Sequence, residues 1–301
     1  MLFCTIHCKS FVIFNLFILC FVPSGGSLNL SALSVTHVIP SVGVKRLAVA
    51  SLGDEVFVFC HNSKQIEVSD AGTFILQHRL TVPGLGQICY GLAACISSNC
   101  LYASDFNNNS IHRVDLSAHD IVNTWSVASQ PAGLSVNKAH NVVVACHGAN
   151  KLQEYTTHGT LVREISLQQA GLTWPFHAVQ LSTGDYVVSQ DTSPGVVIVV
   201  GVDGQVVRRY DRSQSSDVRQ MRYPTSLAVT KNGDIVVADS NNNRILSIDH
   251  SLSSVQVLSL PVDGGLQDPS CLCLDEPRGR LCVSERSRSR ILVFESKTVN
   301  R

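Results

Sequence analysis

The chain is short of charge. Asp, Glu, Lys and Arg make up 15 % of its 301 residues, against about 25 % in an average globular chain. Neither sign prevails, since 23 Lys and Arg face 23 Asp and Glu. Without a net basic field, nucleic acid is not the expected partner. Aromatics are only 6 %, too few for a row of stacking platforms. The common catalytic signatures are also missing. There is no P-loop, nucleophile elbow, HExxH or Cys-x-x-Cys, so the chemistries that those motifs announce are not indicated. Cys271-Leu-Cys273 is alternation within a strand. No heptad, linker or low-complexity tract follows residue 26, which argues for one domain.

Long apolar runs are scarce too. The exception is Phe11 to Val22, behind Lys9 and ahead of Pro23-Ser24-Gly25-Gly26. It falls short of the ~20 residues of a membrane span. It has the pattern of a secretory signal cleaved near Gly26, with a signal anchor or a misassigned start as the alternatives. Residues 1–26 are therefore set apart from a domain over 27–301, with no membrane span in the mature chain. That domain is expected outside the cell, or in the cytoplasm if the signal is misread. Eleven Cys are present; Cys4, Cys8 and Cys20 leave with the signal and eight stay. Cys95 with Cys100, and Cys273 with Cys282, flank hairpin turns. They could pair as disulfides or serve as small buried hydrophobes; the strict geometry of the bond favours the second. Asn29-Leu-Ser31 and Asn108-Asn-Ser110 are glycosylation sequons outside the apolar runs.

What the chain does have is one pattern written six times. The clearest copy is PTSLAVTKNGDIVVADSNNNRILSI, Pro224 to Ile248. It reads as an apolar run, a polar turn, a second run, a turn of small polar residues, and a third run. Fainter copies begin near Val44, Cys89, Pro131, Pro175 and Pro269. Aligned at the end of the second run they register at Cys60, Asp105, Cys146, Gln190, Asp239 and Glu285, at intervals of 45, 41, 44, 49 and 46 residues. Short β runs at such a period predict a six-bladed β-propeller of four-stranded antiparallel blades. In the fifth copy, Lys231 to Asp234 contains the Asn-Gly of a tight hairpin, and Ser240-Asn-Asn-Asn243 suits left-handed φ. The central runs (IVVA, LYA, VVVA) lack alternation, as strands buried on both faces do. The sixth copy has no fourth strand of its own. Leu33 to Ile39 is expected to fill that place, close the ring and remove an exposed edge.

The fifth copy, with P-x-x-L-A-V, N-G-D, V-A-D-S and N-N-N-R-I, resembles the NHL repeat. The second (YASDFNNNSI) and sixth (CVSERSRSRI) match it in part. The resemblance implies a six-bladed propeller and mixed functions. Some such propellers bind RNA or protein in tripartite-motif ubiquitin ligases, some are peptide-amidating lyases, and related ones are lactonases. No RING, B-box or coiled coil occurs in these 301 residues, so ligase activity cannot reside in them. The amidating lyases place zinc-binding His after the Pro that starts a blade. Only Pro175-Phe176-His177 does so here; the other Pro starts continue Ala132, Thr225 and Ser270.

In a blade of this kind the loop before the first strand and the turn after the second share one face. Loops on a rigid scaffold are where function concentrates. That places Phe106, Trp174, Phe176, His177, Arg219, Arg222, Tyr223, Arg286 and Arg288 as candidate binding residues, with Asn241 beside them. His61, His147, His177 and Asp191 would be the ligands if zinc or calcium were held, with Cys60 and Cys146 nearby; no cofactor is the first expectation. Asp239 and Arg244 are expected to pair within the blade rather than to act. The leading expectation is a monomeric, non-catalytic module that binds a protein or glycan on this face. A metal-dependent lyase or lactonase-like enzyme and an intracellular RNA- or protein-binding propeller are the alternatives.

Overall fold

A computed structural model describes residues 28–40, 46–60, 63–118, 120–210 and 220–296. The expected signal lies outside these residues. The chain folds into six four-stranded antiparallel sheets. Their inner strands are Arg46–Leu52, Leu92–Cys95, Pro131–Val136, Pro175–Gln180, Pro224–Val229 and Pro269–Asp275. Each packs against the inner strands on either side, so the six surround one channel. We number the blades 1 to 6 in that order. The architecture is the all-β six-bladed propeller that the repeat predicts. Among the described residues the only helical elements are three-residue 3-10 turns.

The ring closes as expected. Leu33–Pro40 pairs antiparallel with Arg290–Ser296, from Leu33 opposite Ser296 to Pro40 opposite Arg290. Blade 6 thus takes its outer strand from the start of the domain. This pairing gives the strand after Glu285 a partner and removes an open edge.

Burial follows position within a blade. The second strands Val142–Cys146 and Ile235–Asp239 are buried throughout, as is the third strand Val196–Val200. The outer strand Val206–Arg209 is exposed throughout. The core is therefore not central; it lies in six wedges, one between each pair of neighbouring blades. Phe57, Phe59 and Ile66 of blade 1 meet Leu101 and Val114 of blade 2. Ile39, Ile291 and Val293 of blade 6 meet Val49 and Val58 of blade 1. Each such side chain contributes about 1.5–3 kcal/mol on burial, so every junction stabilises two blades at once.

The turn at Lys231 to Asp234 differs in detail from expectation. Thr230 and Asp234 close a three-residue loop, and Gly233 is left-handed at φ 88° while Asn232 is not. This is the longer hairpin with a single left-handed glycine, not the two-residue Asn-Gly turn. No disulfide joins any two of the eight Cys among the described residues, and seven of them are buried. Cys95 faces Cys100 and Cys273 faces Cys282 in register. Burial pushes the thiols of Cys89, Cys146 and Cys282 up to about 12, as for inert core residues.

Candidate functional site

In blades 2 to 6 the loop that starts the blade is tied to the turn after that blade's second strand. Phe106 N–H donates to Ile88 O, His147 to Gln130 O, Asp191 to Trp174 O, Ser240 to Tyr223 O and Arg286 to Asp268 O. These ten residues therefore share one face, here called the upper face.

The upper face is held open by unusual backbone. Gln130, Trp174, Tyr223 and Asp268 each precede the Pro that starts a blade, and each is left-handed, at φ 56°, 49°, 54° and 50°. Residues other than glycine pay roughly 1–2 kcal/mol for this conformation. Asparagines of the preceding blade hold three of them. Asn109 Oδ1 accepts from Gln130 N–H at 2.7 Å, Asn150 Oδ1 from Trp174 N–H at 2.8 Å, and Asn243 Oδ1 from Asp268 N–H at 2.8 Å. The asparagines are themselves left-handed, at φ 51–52°, which this residue tolerates best after glycine. The outcome is that Trp174 and Tyr223 stand 54 % and 38 % exposed.

A strip of rings runs along the mouth of the channel. Trp174 stacks on His147 with centroids 6.4 Å apart. His147 meets Phe106 at 5.8 Å, Phe106 meets Tyr90 edge-on at 5.1 Å, and Tyr90 meets Phe176 at 5.3 Å. Burial keeps the His147 imidazole below its usual pKa, hence neutral at pH 7, and its buried Nδ1 has no partner. Burial also raises the Tyr90 phenol, and Arg286 and Asp191 act on it electrostatically. Burial raises the Asp191 carboxyl, with Arg286 pulling it back. The mouth thus combines an aromatic strip with one carboxyl and one guanidinium. Tyr90 is the residue that sequence reasoning missed. It occupies the register position of Phe176, but no Pro precedes it to mark the blade start.

His177 is not displayed on the upper face, which corrects the expectation for it. Its ring lies inside the channel, 9 % exposed. Nδ1 accepts from Leu227 N–H of blade 5 at 2.9 Å, and Nε2 lies 3.0 Å from Leu134 O of blade 3. With Nδ1 accepting, Nε2 must be the protonated donor. Burial holds the imidazole below its ordinary pKa and neutral. Both nitrogens are used, so neither is available to a metal. The same register position holds Gly91, Gly133, Ser226 and Cys271 in other blades. One large side chain among small ones fills the channel, and a cavity of about 40 Å³ remains, roughly the room of one water.

Other candidates are placed as follows. Phe176 is nearly buried, at 9 % exposed, and forms the inner end of the strip. Arg288 donates to the carbonyls of Asp263, Gly264 and Gly265 and braces that loop. Arg286 grips Asp268 through two hydrogen bonds of 2.9 and 3.0 Å yet remains partly exposed. Arg222 is exposed. Arg219 and His61 lie outside the described residues. Among the described residues no three His, Cys, Asp or Glu gather as a metal site. Asn29 is exposed, its Oδ1 accepting from Ser31. Asn108 Nδ2 instead donates to Asp105 at 2.8 Å, a bond that a glycan on that nitrogen would disturb.

Asp239 and Arg244 pair at 2.7 Å with Asp239 fully buried. Asp239 Oδ1 also accepts from Arg222 N–H at 2.7 Å, so the carboxylate ties the blade-start loop to the third strand. Blade 6 repeats this with Glu285, which accepts from Gln267 N–H and Arg290. Blade 2 repeats it with Asp105, Gly86 N–H and His112. These are braces beneath the upper face.

Comparison with known proteins agrees with this architecture. The NHL repeat family is matched over residues 221–246 and 266–294, within the regions of blades 5 and 6. No curated protein matches the chain. Among solved structures, hydrazine synthase of Kuenenia stuttgartiensis is similar at TM-score 0.62 and 14 % identity, over 87 % of this chain and 98 % of that one. Virginiamycin B lyase from Staphylococcus aureus is similar at 0.63 and 10 %, over 87 % and 99 %. The WD40 propeller domain of Doa1 is similar at 0.61 and 12 %, over 88 % and 98 %. At these identities the likeness is one of fold.

Proposed function

We propose that this chain is a non-catalytic binding module that offers the upper face of its propeller to a protein or glycan partner. The observation that supports this reading best is Trp174. It is a large aromatic, half exposed, held in a costly backbone conformation by a hydrogen bond from another blade. Strained backbone that surrounding structure enforces clusters at functional positions. Trp and Tyr beside an Arg are also the residue types that dominate binding energy at interfaces. Tyr223, Tyr90 and Arg286 extend the surface around the mouth. The plugged channel argues for a ligand that lies on the face rather than one that enters. We further propose an extracellular setting, from the signal-like residues 1–26, with Asn29 rather than Asn108 as the glycan acceptor.

A second reading rests on His147, a neutral imidazole at the mouth with a free Nδ1. In an enzyme of the lyase kind it would be the base, on the same face as Asp191.

One experiment separates the two. The Trp125→Phe variant leaves Trp174 as the sole tryptophan, and its emission is titrated with neutral and acidic oligosaccharides. In parallel, wild type and Trp174→Ala/Tyr223→Ala are compared for binding to glycan-bearing cell surfaces, and the oligosaccharides are assayed for cleavage. Binding that weakens about thirtyfold or more in the double variant, a hot-spot loss of ≥ 2 kcal/mol, supports the module. Cleavage of a titrated oligosaccharide that is lost in His147→Gln would overturn it in favour of the enzyme.

A further inference from the structure

The lower face, where the hairpins between first and second strands lie, has a cleft of its own. It measures about 490 Å³ and opens between blades 4 and 5, reaching Lys138 of blade 3 and Glu276 of blade 6. Small-molecule sites commonly span ~300–1,000 Å³. Its floor is apolar: Val179, Leu181 and Val229 pack on the wedge between blades 4 and 5 but remain partly exposed.

Its rim is cationic. Lys138, Arg208 and Lys231 line it, against the single carboxylate of Glu276. That carboxylate is already committed. It accepts from Lys231 N–H at 2.8 Å and sits 3.9 Å from Lys231 Nζ. Arg208 spends one guanidinium nitrogen on the carbonyl of His250 at 2.9 Å, a neutral partner. Among the described residues, neither Lys138 nor Arg208 has a carboxylate within ion-pair distance. By contrast, Arg278 pairs with Asp54 and Asp275, and Arg280 with Glu295. Among the described residues, two cations without an ion pair therefore line the cleft.

We infer that this cleft binds a small amphiphilic organic anion, with an apolar body on Val179, Leu181 and Val229 and a carboxylate or phosphate head between Lys138 and Arg208. An apolar floor alone would admit any hydrocarbon, and cations alone would admit any anion. The two together demand both features in one ligand. The site is on the opposite side of the disc from Trp174 and acts independently of it.

The test is calorimetric titration of the full chain with octanoate, octyl phosphate, 1-octanol and acetate. Octanoate or octyl phosphate should bind one per chain, at least tenfold tighter than octanol or acetate; which of the two is tighter identifies the head. Lys138→Glu/Arg208→Glu should weaken that binding at least tenfold, while Arg222→Glu on the upper face should leave it unchanged. The melting midpoint of each unliganded variant is recorded. If the double variant melts early, the exposed Lys138→Gln alone is read, with at least a threefold loss expected. No heat from either amphiphile at millimolar concentration, equal affinity for octanol, or indifference to these substitutions would overturn the inference.

Discussion

His177 shows how one side chain can set the interior of a ring. It bridges blades 3 and 5 from blade 4, and the residues it reaches are 43 and 50 positions away. Gly133 makes room for it. A Cβ built there would lie 2.3 Å from His177 Cδ2 and 2.7 Å from Phe176 O. Gly133→Ala is thus expected to destabilise by about 1–3 kcal/mol, as overpacking does, and urea unfolding would show it. Adding His177→Ala should return part of that loss, because the ring clash is removed while the backbone clash stays. A fully additive double variant would mean that the two residues do not compete for space.

At the scale of the element, the recurring device is a side chain that satisfies turn N–H groups. Asp249 ends the third strand of blade 5. It accepts from Ser253 and Ser254 N–H and from the hydroxyls of Ser251 and Ser253. Partial burial pushes its carboxyl up, but these donors outweigh that and hold it at about 2. Asp70 and Asp115 occupy the same place in blades 1 and 2 and are likewise lowered by turn N–H groups. A depressed folded pKa stabilises above the unfolded value near 4. That contribution fades as pH falls from about 4 toward 2. Asp249→Ala should therefore lower the melting midpoint at pH 7, and the gap to wild type should narrow between pH 4 and 2. A gap that persists at pH 2 would assign the loss to something other than the charged carboxylate.

These turns also explain what could be read in advance. The blade frame was legible because its signals are local: apolar runs of fixed length, Asn and Gly at turns, and acid–base pairs such as Asp239 with Arg244. The mouth was less so. Trp174 and Tyr223 carry no mark of left-handed backbone in their own chemistry, since bulky residues avoid it. The asparagines that impose or accompany it sit in other turns. The inward aim of His177, against the outward one expected, depends on small residues at the same register in blades 2, 3, 5 and 6. No single blade contains that information.

For the molecule as a whole, stability is distributed among six wedges, two of which include residues of the closing strand. Deleting Leu33 to Ile39 removes the outer strand of blade 6 and the contribution of Leu33 and Ile39 to two wedges. The deleted chain is expected to melt at least ~5 °C lower, as for losses of a few kcal/mol in a large domain, and to self-associate through the bared strand. Sedimentation and calorimetry would report both. An equally stable monomer would show that closure is dispensable.

That clasp also sets the order of events during synthesis. Thr36 meets Val293 across 257 positions of sequence, so the first strand made must wait for the last. At 5–20 residues per second, the wait is roughly 13–50 s. Through that interval a nascent chain presents a strand without its partner, at the end that leaves the ribosome first. Blades 1 to 5 can assemble behind it, but the disc can be finished only once Arg290–Ser296 has emerged from the ribosome. Newborn chains of this protein should therefore depend on chaperones through that interval, and a ribosome stalled before Arg290 would leave them unclasped.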